Sequence, residues 1–261
     1  MAGNMVAQPH GTATTGARAA HPVRIEVWGL RAMIAAAACF ALVQRQPLPA
    51  LGGFAALAAS FAPTLVSRGS RTAVPRLLEL IWVLAATVPG VSTALMLYDH
   101  VTHWGKVVHG VQGFLGVACI ALLLLGYREF RSVDLTDELV GLVSIFAGFA
   151  IGVGWEIIEF VVDWVAGASL QKSNSDTMTD LLVNNVGAVL AALLSVRVYT
   201  HWVRPDDKRD MGTIATWLVA GPSRLLDRHG HLMVFIAAAI IAAAIAILWF
   251  TGRPVPGLPA S

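Results

Sequence analysis

The sequence predicts an all-α, polytopic transmembrane helix bundle of about seven spans with its N-terminus in the cytoplasm. Composition, the recurrence of apolar windows and the placement of the basic residues all point there. Hydrophobic residues make up 56% of the chain, charged ones 13%, and the mean hydropathy is +0.68, whereas soluble domains carry about a quarter charged residues. Fourteen of the 18 Lys and Arg residues fall on alternate connections that share one side, from Arg18, Arg24 and Arg31 to Arg224 and Arg228. The other side holds only Arg45, Lys106, Lys172 and Arg253. By the positive-inside rule the basic side is cytoplasmic, which suits an inner (plasma) membrane protein. The net charge of +2 adds little, and no basic, aromatic-studded domain suggests nucleic acid.

In chain order, residues 1–26 form a polar, alanine-rich leader that reads as disordered. Residues 27–97 hold three spans, Val27 to Val43, Leu48 to Val66 and Leu77 to Leu97, each close to the ~20 residues that cross a hydrocarbon core. The leader is long for a signal peptide and lacks a clear cleavage site, so the first span reads as uncleaved despite Arg31. Pro89-Gly90 should kink the third span, and Glu79 near its cytoplasmic end has Arg76 as the expected partner. Residues 98–199 form the core, with spans at Val107 to Leu125, Leu139 to Val162 and Leu181 to Tyr199. Gly141, Gly148, Gly152 and Gly154 give the fifth span a small-residue face for close packing. Residues 200–231 include an amphipathic segment, Met211 to His231, expected on the inner membrane surface, and 232–261 carry the last span, Leu232 to Phe250.

Polar residues inside these spans are the candidate site. Glu156 and Glu159 lie three residues apart in an otherwise apolar run, where a charge costs at least ~2.5 kcal/mol. On a regular helix their Cβ atoms are about 5 to 6 Å apart. Such a pair cannot cheaply stay doubly ionised: one carboxyl holds a proton, or a cation is present. Asp99, His103 and Lys106 fall at the outer end of the third span and in the loop after it, and Asp176, Asp180 and Asn184 at the outer start of the sixth. The spacing of four from Asp99 to His103, and from Asp176 through Asp180 to Asn184, places each set on one face if helical. One outward site built from spans three to six is the economical reading.

Plainer readings stand beside these. The glutamates could be interhelical hydrogen-bonding glue, and Asp176 could merely cap the sixth span. His109, with no carboxylate four residues on and Gly110 beside it, reads as structural. Cys39 and Cys119 sit in apolar spans and read as small core residues. No phosphate loop, zinc-protease helix or nucleophile elbow is present in the sequence.

Asp99-x-x-x-His103-Trp104, and Asp180-x-x-x-Asn184-x-x-Gly187 after the glutamates, resemble the motifs of VanZ-like membrane proteins. The paired-glutamate run Trp155 to Phe160 and Asp176-Thr177-Met178-Thr179-Asp180 are more similar still to YjdF-type inner-membrane proteins. The resemblance covers about Tyr98 to Leu194 and implies an outward polar site in a membrane protein, not a named reaction. His100 stands where VanZ-like members have Lys, and Glu159 where they tend to have Gln.

Two functions follow. In the first, the site binds or translocates a cation, or a lipid-linked or amphipathic ligand, with Asp99, His103, Lys106 and Asn184 as ligand contacts. In the second, the protein is a metal-assisted enzyme acting on lipid or cell-wall precursor head groups. Its divalent cation, magnesium, calcium or manganese, would be held by Glu156, Glu159, Asp176 and Asp180. A purely structural subunit is the third alternative. Membrane lipid is the expected partner in every case.

Overall fold

The computed structural model describes residues 24–166 and 170–220, and every regular element in them is α-helical. The chain runs α1 (Ile25–Val43), α2 (Pro47–Ala59), α3 (Ala62–Ser70), α4 (Arg76–Ala94), α5 (Leu97–His100), α6 (Trp104–Arg131), α7 (Asp137–Ala166) and α8 (Asn174–Trp202). A ninth helix, α9, covers 205–220. Among the described residues, six segments are long and apolar enough to cross a membrane, with α2 and α3 together making the second. The protein is therefore an all-α polytopic bundle. The expected seventh span and the leader lie outside the described residues.

The helices fall into two groups. α1, α2 and α4 pack on one another; α6, α7 and α8 form the other group, in which α6 and α8 share the most extensive interface, and α4 joins the groups by packing on α6. That α6–α8 interface is built on glycine. A Cβ on Gly187 would meet the Gly110 carbonyl oxygen at 2.2 Å, and one on Gly113 would meet the Asn184 carbonyl oxygen at 2.2 Å. In lipid, where apolar surface gains little from burial, such backbone approach is what holds helices together.

Two expectations about the spans change. The second span is broken at Ser60–Phe61, because Pro63 has no N–H to give the carbonyl of Ala59. The Trp82 indole N–H donates to Ala59 O instead (2.9 Å), and Arg31 donates to Ser60 O (2.9 Å). Pro89 similarly leaves Ala85 O without its helical donor, and the Gln112 amide on α6 supplies one (2.7 Å) while α4 continues to Ala94. Backbone groups in a membrane must be satisfied from within the protein, and each proline here is answered by a side chain of another helix. Glu79, finally, pairs with Arg24 and Arg31 rather than Arg76, which pairs with Glu26 (2.5 Å). Arg76 and Glu79 share the first turn of α4, but α1 lies across it and presents the shorter reach.

Among the four glycines of the fifth span, Gly148 and Gly152 are in close contact, against Val117 and Asn184, while Gly141 and Gly154 face open surface. Cys119 is buried as expected, but Cys39 is exposed on α1. The apolar face of α9 packs on protein: Met211 and Ile214 are fully buried with Leu122, Leu125 and Tyr199, and Gly126 and Gly212 allow the approach. Part of the described amphipathic segment thus packs on the bundle, while Trp217, Leu218 and Val219 stay exposed, and residues beyond 220 lie outside the described range.

Candidate metal centre

The site is assembled from α6, α7 and α8 at the end of the bundle opposite the basic loops. α6 begins at Trp104, so Lys106 and His109 occupy its first two turns and share a face at a spacing of three. α8 begins after Ser173, whose hydroxyl accepts the Asp176 N–H (3.1 Å). Ser173, not Asp176, is therefore the cap, which frees the Asp176 carboxylate for Lys106. Lys106 Nζ donates to Asp176 Oδ1 (2.5 Å), Asp176 O (3.1 Å) and Asp180 Oδ2 (2.9 Å). All three ammonium donors are thereby used.

Deeper in, the His109 ring lies between two carboxylates. Its Nδ1 is 3.9 Å from Glu156 Oε1 and its Nε2 is 3.9 Å from Asp180 Oδ1, beyond hydrogen-bond reach. Both oxygens are buried and accept no hydrogen bond, on residues only 5% and 6% exposed. The donor atoms of His109, Glu156 and Asp180 all lie within 4.8 Å of one another.

The opposite oxygen of each carboxylate is tied down. Gln171 Nε2 donates to Glu156 Oε2 (3.1 Å) and to the Glu156 carbonyl (2.9 Å), and Lys106 holds Asp180 Oδ2. Gln171 is itself fixed, because the N–H groups of Leu170 and Gln171 donate to the two Asp163 oxygens (2.7 and 2.8 Å). Each acid thus has one oxygen anchored from outside and one presented to His109.

Of the residues singled out from sequence, Lys106, Asp176, Asp180 and Glu156 meet here, and Asn184 lies one turn below Asp180. The Asn184 amide donates to Gly148 O (3.3 Å) and fits against Gly152, whose absent side chain makes the room. Glu159 goes elsewhere: three residues turn a helix by about 300°, leaving it ~60° around α7 from Glu156, where it accepts from the Trp155 indole (2.7 Å). Asp99 and His103 do not share a helix face. α5 ends at His100, Val101 is extended, and His103 is left-handed with φ 60°, so the helical spacing does not apply and both side chains are exposed.

Sequence reasoning missed His109 and Gln171. Lys106-x-x-His109 on one helix face was the available signal for the first, but a carboxylate four residues along was the wrong partner to seek, since the partners come from α7 and α8. Gln171 acts from an irregular segment, where no periodicity exists to point at it.

One imidazole nitrogen and two carboxylate oxygens form a compact donor set for a divalent cation. Ligands ~2.0–2.2 Å from a common ion sit roughly 3–3.5 Å apart, so with donors up to 4.8 Å apart the side chains would have to move together by about an ångström to share one. The two unsatisfied buried oxygens suit that occupant, since a buried acceptor without a partner otherwise costs ~1–3 kcal/mol or more.

Residues 26–201 match the model of a family described as "Predicted membrane protein (DUF2238)". Comparison with curated proteins and with solved structures gives no match. The resemblance to YjdF-type membrane proteins is consistent with that family. The match covers all six described membrane segments to within one residue at either end and includes every residue of the His109 centre, and the chain belongs to the DUF2238 family of membrane proteins.

Proposed function

We propose that the protein binds a divalent cation through His109, Glu156 and Asp180, at the outward end of its membrane bundle. The observation that carries this is the pair of buried, unpartnered oxygens, Glu156 Oε1 and Asp180 Oδ1, turned to the same imidazole. Charge agrees: Glu156, Asp176 and Asp180 against Lys106 leave two negative charges in a poorly solvated place, which one dication neutralises. The imidazole moves the preference from purely oxygen-liking magnesium and calcium toward manganese or zinc. Asp176 serves through Lys106 in this reading, and Glu159 is not a ligand. Kinship with VanZ-like proteins, carried by Asp180-x-x-x-Asn184-x-x-Gly187, and residence in the plasma membrane with the N-terminus cytoplasmic belong to the same reading.

A second reading rests on the ligand count. Three protein donors leave at least one coordination position for water or substrate, as in catalytic rather than structural zinc sites. A metal-bound water there would supply the nucleophile for hydrolysis of a lipid head group, with the remaining acids to move protons.

Thermal melting of the purified protein with manganese, zinc, magnesium and calcium tests the proposal. At 100 times Kd, binding contributes ~2.7 kcal/mol. Manganese or zinc should raise Tm by several degrees, and H109A, E156Q and D180N should each remove the rise. A parent protein that is indifferent to all four ions and carries no metal on purification overturns it.

A further inference from the structure

We propose that Glu159 and Trp155 form a seat on the membrane-facing surface of α7 for the ammonium group of an ethanolamine-type lipid headgroup. This inference uses residues other than the proposed metal ligands. Glu159 lies seven residues before the end of α7 at Ala166, about 10 Å along the axis. Around it the helix surface is apolar and open: Ile151, Ile158 and Val162 are 57%, 54% and 38% exposed. Such a surface suits lipid, and a carboxylate that is ionised there calls for a cation.

The described residues provide none. Glu159 takes part in no ion pair, and Lys106, the nearby ammonium on α6, has its donors committed to Asp176 and Asp180. The one group that holds Glu159 is the Trp155 indole N–H, at 2.7 Å. Trp155 is itself 51% exposed, so its ring faces remain open. A carboxylate beside an accessible indole face is the chemistry that recognises an ammonium: ion pairing supplies most of the attraction, and the ring quadrupole contributes ~0.5–1 kcal/mol or more as water is excluded.

Tyr98 on α5 forms a neutral neighbour. Its phenol is pushed up to about 12 by burial first and then by the Glu159 charge, so Glu159 is near enough for its field to be felt. Asp163, one turn along α7, turns its carboxylate to the Leu170 and Gln171 N–H groups. Both acids repel a net-anionic headgroup. The apolar flank favours a lipid over a water-soluble amine, because acyl chains can lie along Ile151, Ile158 and Val162 while the amine reaches Glu159.

The test uses the full-length protein, delipidated in detergent and titrated with dioleoyl phosphatidylethanolamine or dioleoyl phosphatidylglycerol, with lipid adducts counted by native mass spectrometry. The parent should retain the ethanolamine lipid in preference to the glycerol lipid. E159Q should lose that preference by about fivefold, and W155F, which keeps the carboxylate, by about twofold. Free ethanolamine at millimolar concentration should not displace the lipid. A parent indifferent to the two lipids overturns the proposal whether or not E159Q folds, as does an E159Q protein with undiminished preference. Displacement by free ethanolamine overturns the lipid as the source of the amine, and an E159Q-sensitive dimer without lipid preference assigns the face to a second copy of the chain instead.

Discussion

Two clusters of ionisable side chains sit inside the membrane-spanning part of this protein, and they are built in opposite ways. At the basic end, Arg31 of α1 is 5% exposed, yet its guanidinium donates to Ser60 O, faces Glu79 at 3.5 Å and lies over the Phe61 and Trp28 rings at 4.3 and 5.2 Å. Arg24 pairs with the other Glu79 oxygen and with Val74 O. Both oxygens of that acid are engaged. At the other end, Glu156 and Asp180 each engage one oxygen and leave the other buried and open to His109. The first arrangement engages both carboxylate oxygens, leaves only the Arg31 Nε–H buried without a hydrogen-bond partner, and ties a broken helix to its neighbours. The second leaves a buried acceptor open on each of two acids, and on the reading proposed above that difference separates a structural cluster from a binding centre.

Substitutions should break the two clusters differently. The largest effect is expected from Glu79→Gln, which strands Arg31 and Arg24: loss of one partner of a buried pair costs ~3–5 kcal/mol, seen as a drop in Tm that no metal restores. Glu156→Gln should cost little stability in metal-free buffer, because it removes a charge without an ion-pair partner, and Asp180→Asn somewhat more, because it gives up the Lys106 pair, while each abolishes metal-dependent stabilisation. Equal losses in the two clusters would erase the comparison.

Gly187→Ala should come next. Its new methyl would meet Gly110 O at 2.2 Å and the Phe114 nitrogen at 2.9 Å, both backbone atoms. Overpacking of this kind costs ~1–3 kcal/mol, and parting α6 from α8 also separates His109 from Asp180. Thermal stability and metal affinity should therefore fall together, whereas Gly154→Ala, with nothing within 4 Å, should change neither.

Much of this could be read from the chain alone, and the limits have physical causes. Composition exposed the bundle, the cost of charge in lipid singled out Glu156 and Glu159, and a spacing of four picked out Asp176 and Asp180, because these signals are local. The breaks at Pro63 and Met96 were harder to see: the first depends on Trp82 and Arg31 arriving from other helices, and the second on a left-handed residue, φ 53° at Met96, that no apolar pattern announces. The same reason hid His109. Its role is set by how closely α6, α7 and α8 approach, and the glycines that permit this are far from it in sequence.

Smaller effects sharpen the picture. Gln171→Ala frees Glu156 Oε2 without touching a proposed ligand, so the affinity for manganese or zinc should fall about tenfold, the low end for residues that orient metal ligands, with little change in metal-free Tm. Smallest is Asp210 on α9, outside the spans. Burial first, and then the Asp207 charge, raise its carboxyl above the ordinary 3.8. A raised folded-state value means its contribution is full below the unfolded value and is lost as pH rises through the folded one. Asp210→Asn should therefore raise stability slightly at neutral pH, by a few tenths of a kcal/mol after solvent screening, seen as a small rise in Tm, and the gain should vanish in acid. A gain that persists in acid would contradict that assignment.

The most direct test asks what touches the ion. Electron spin-echo measurements on protein carrying one equivalent of manganese(II) should show modulation from a single imidazole nitrogen, lost in His109→Ala, while Glu156→Gln and Asp180→Asn release the ion to solvent. Manganese that shows no nitrogen coupling, or coupling that survives His109→Ala, would contradict a metal centre at His109, Glu156 and Asp180.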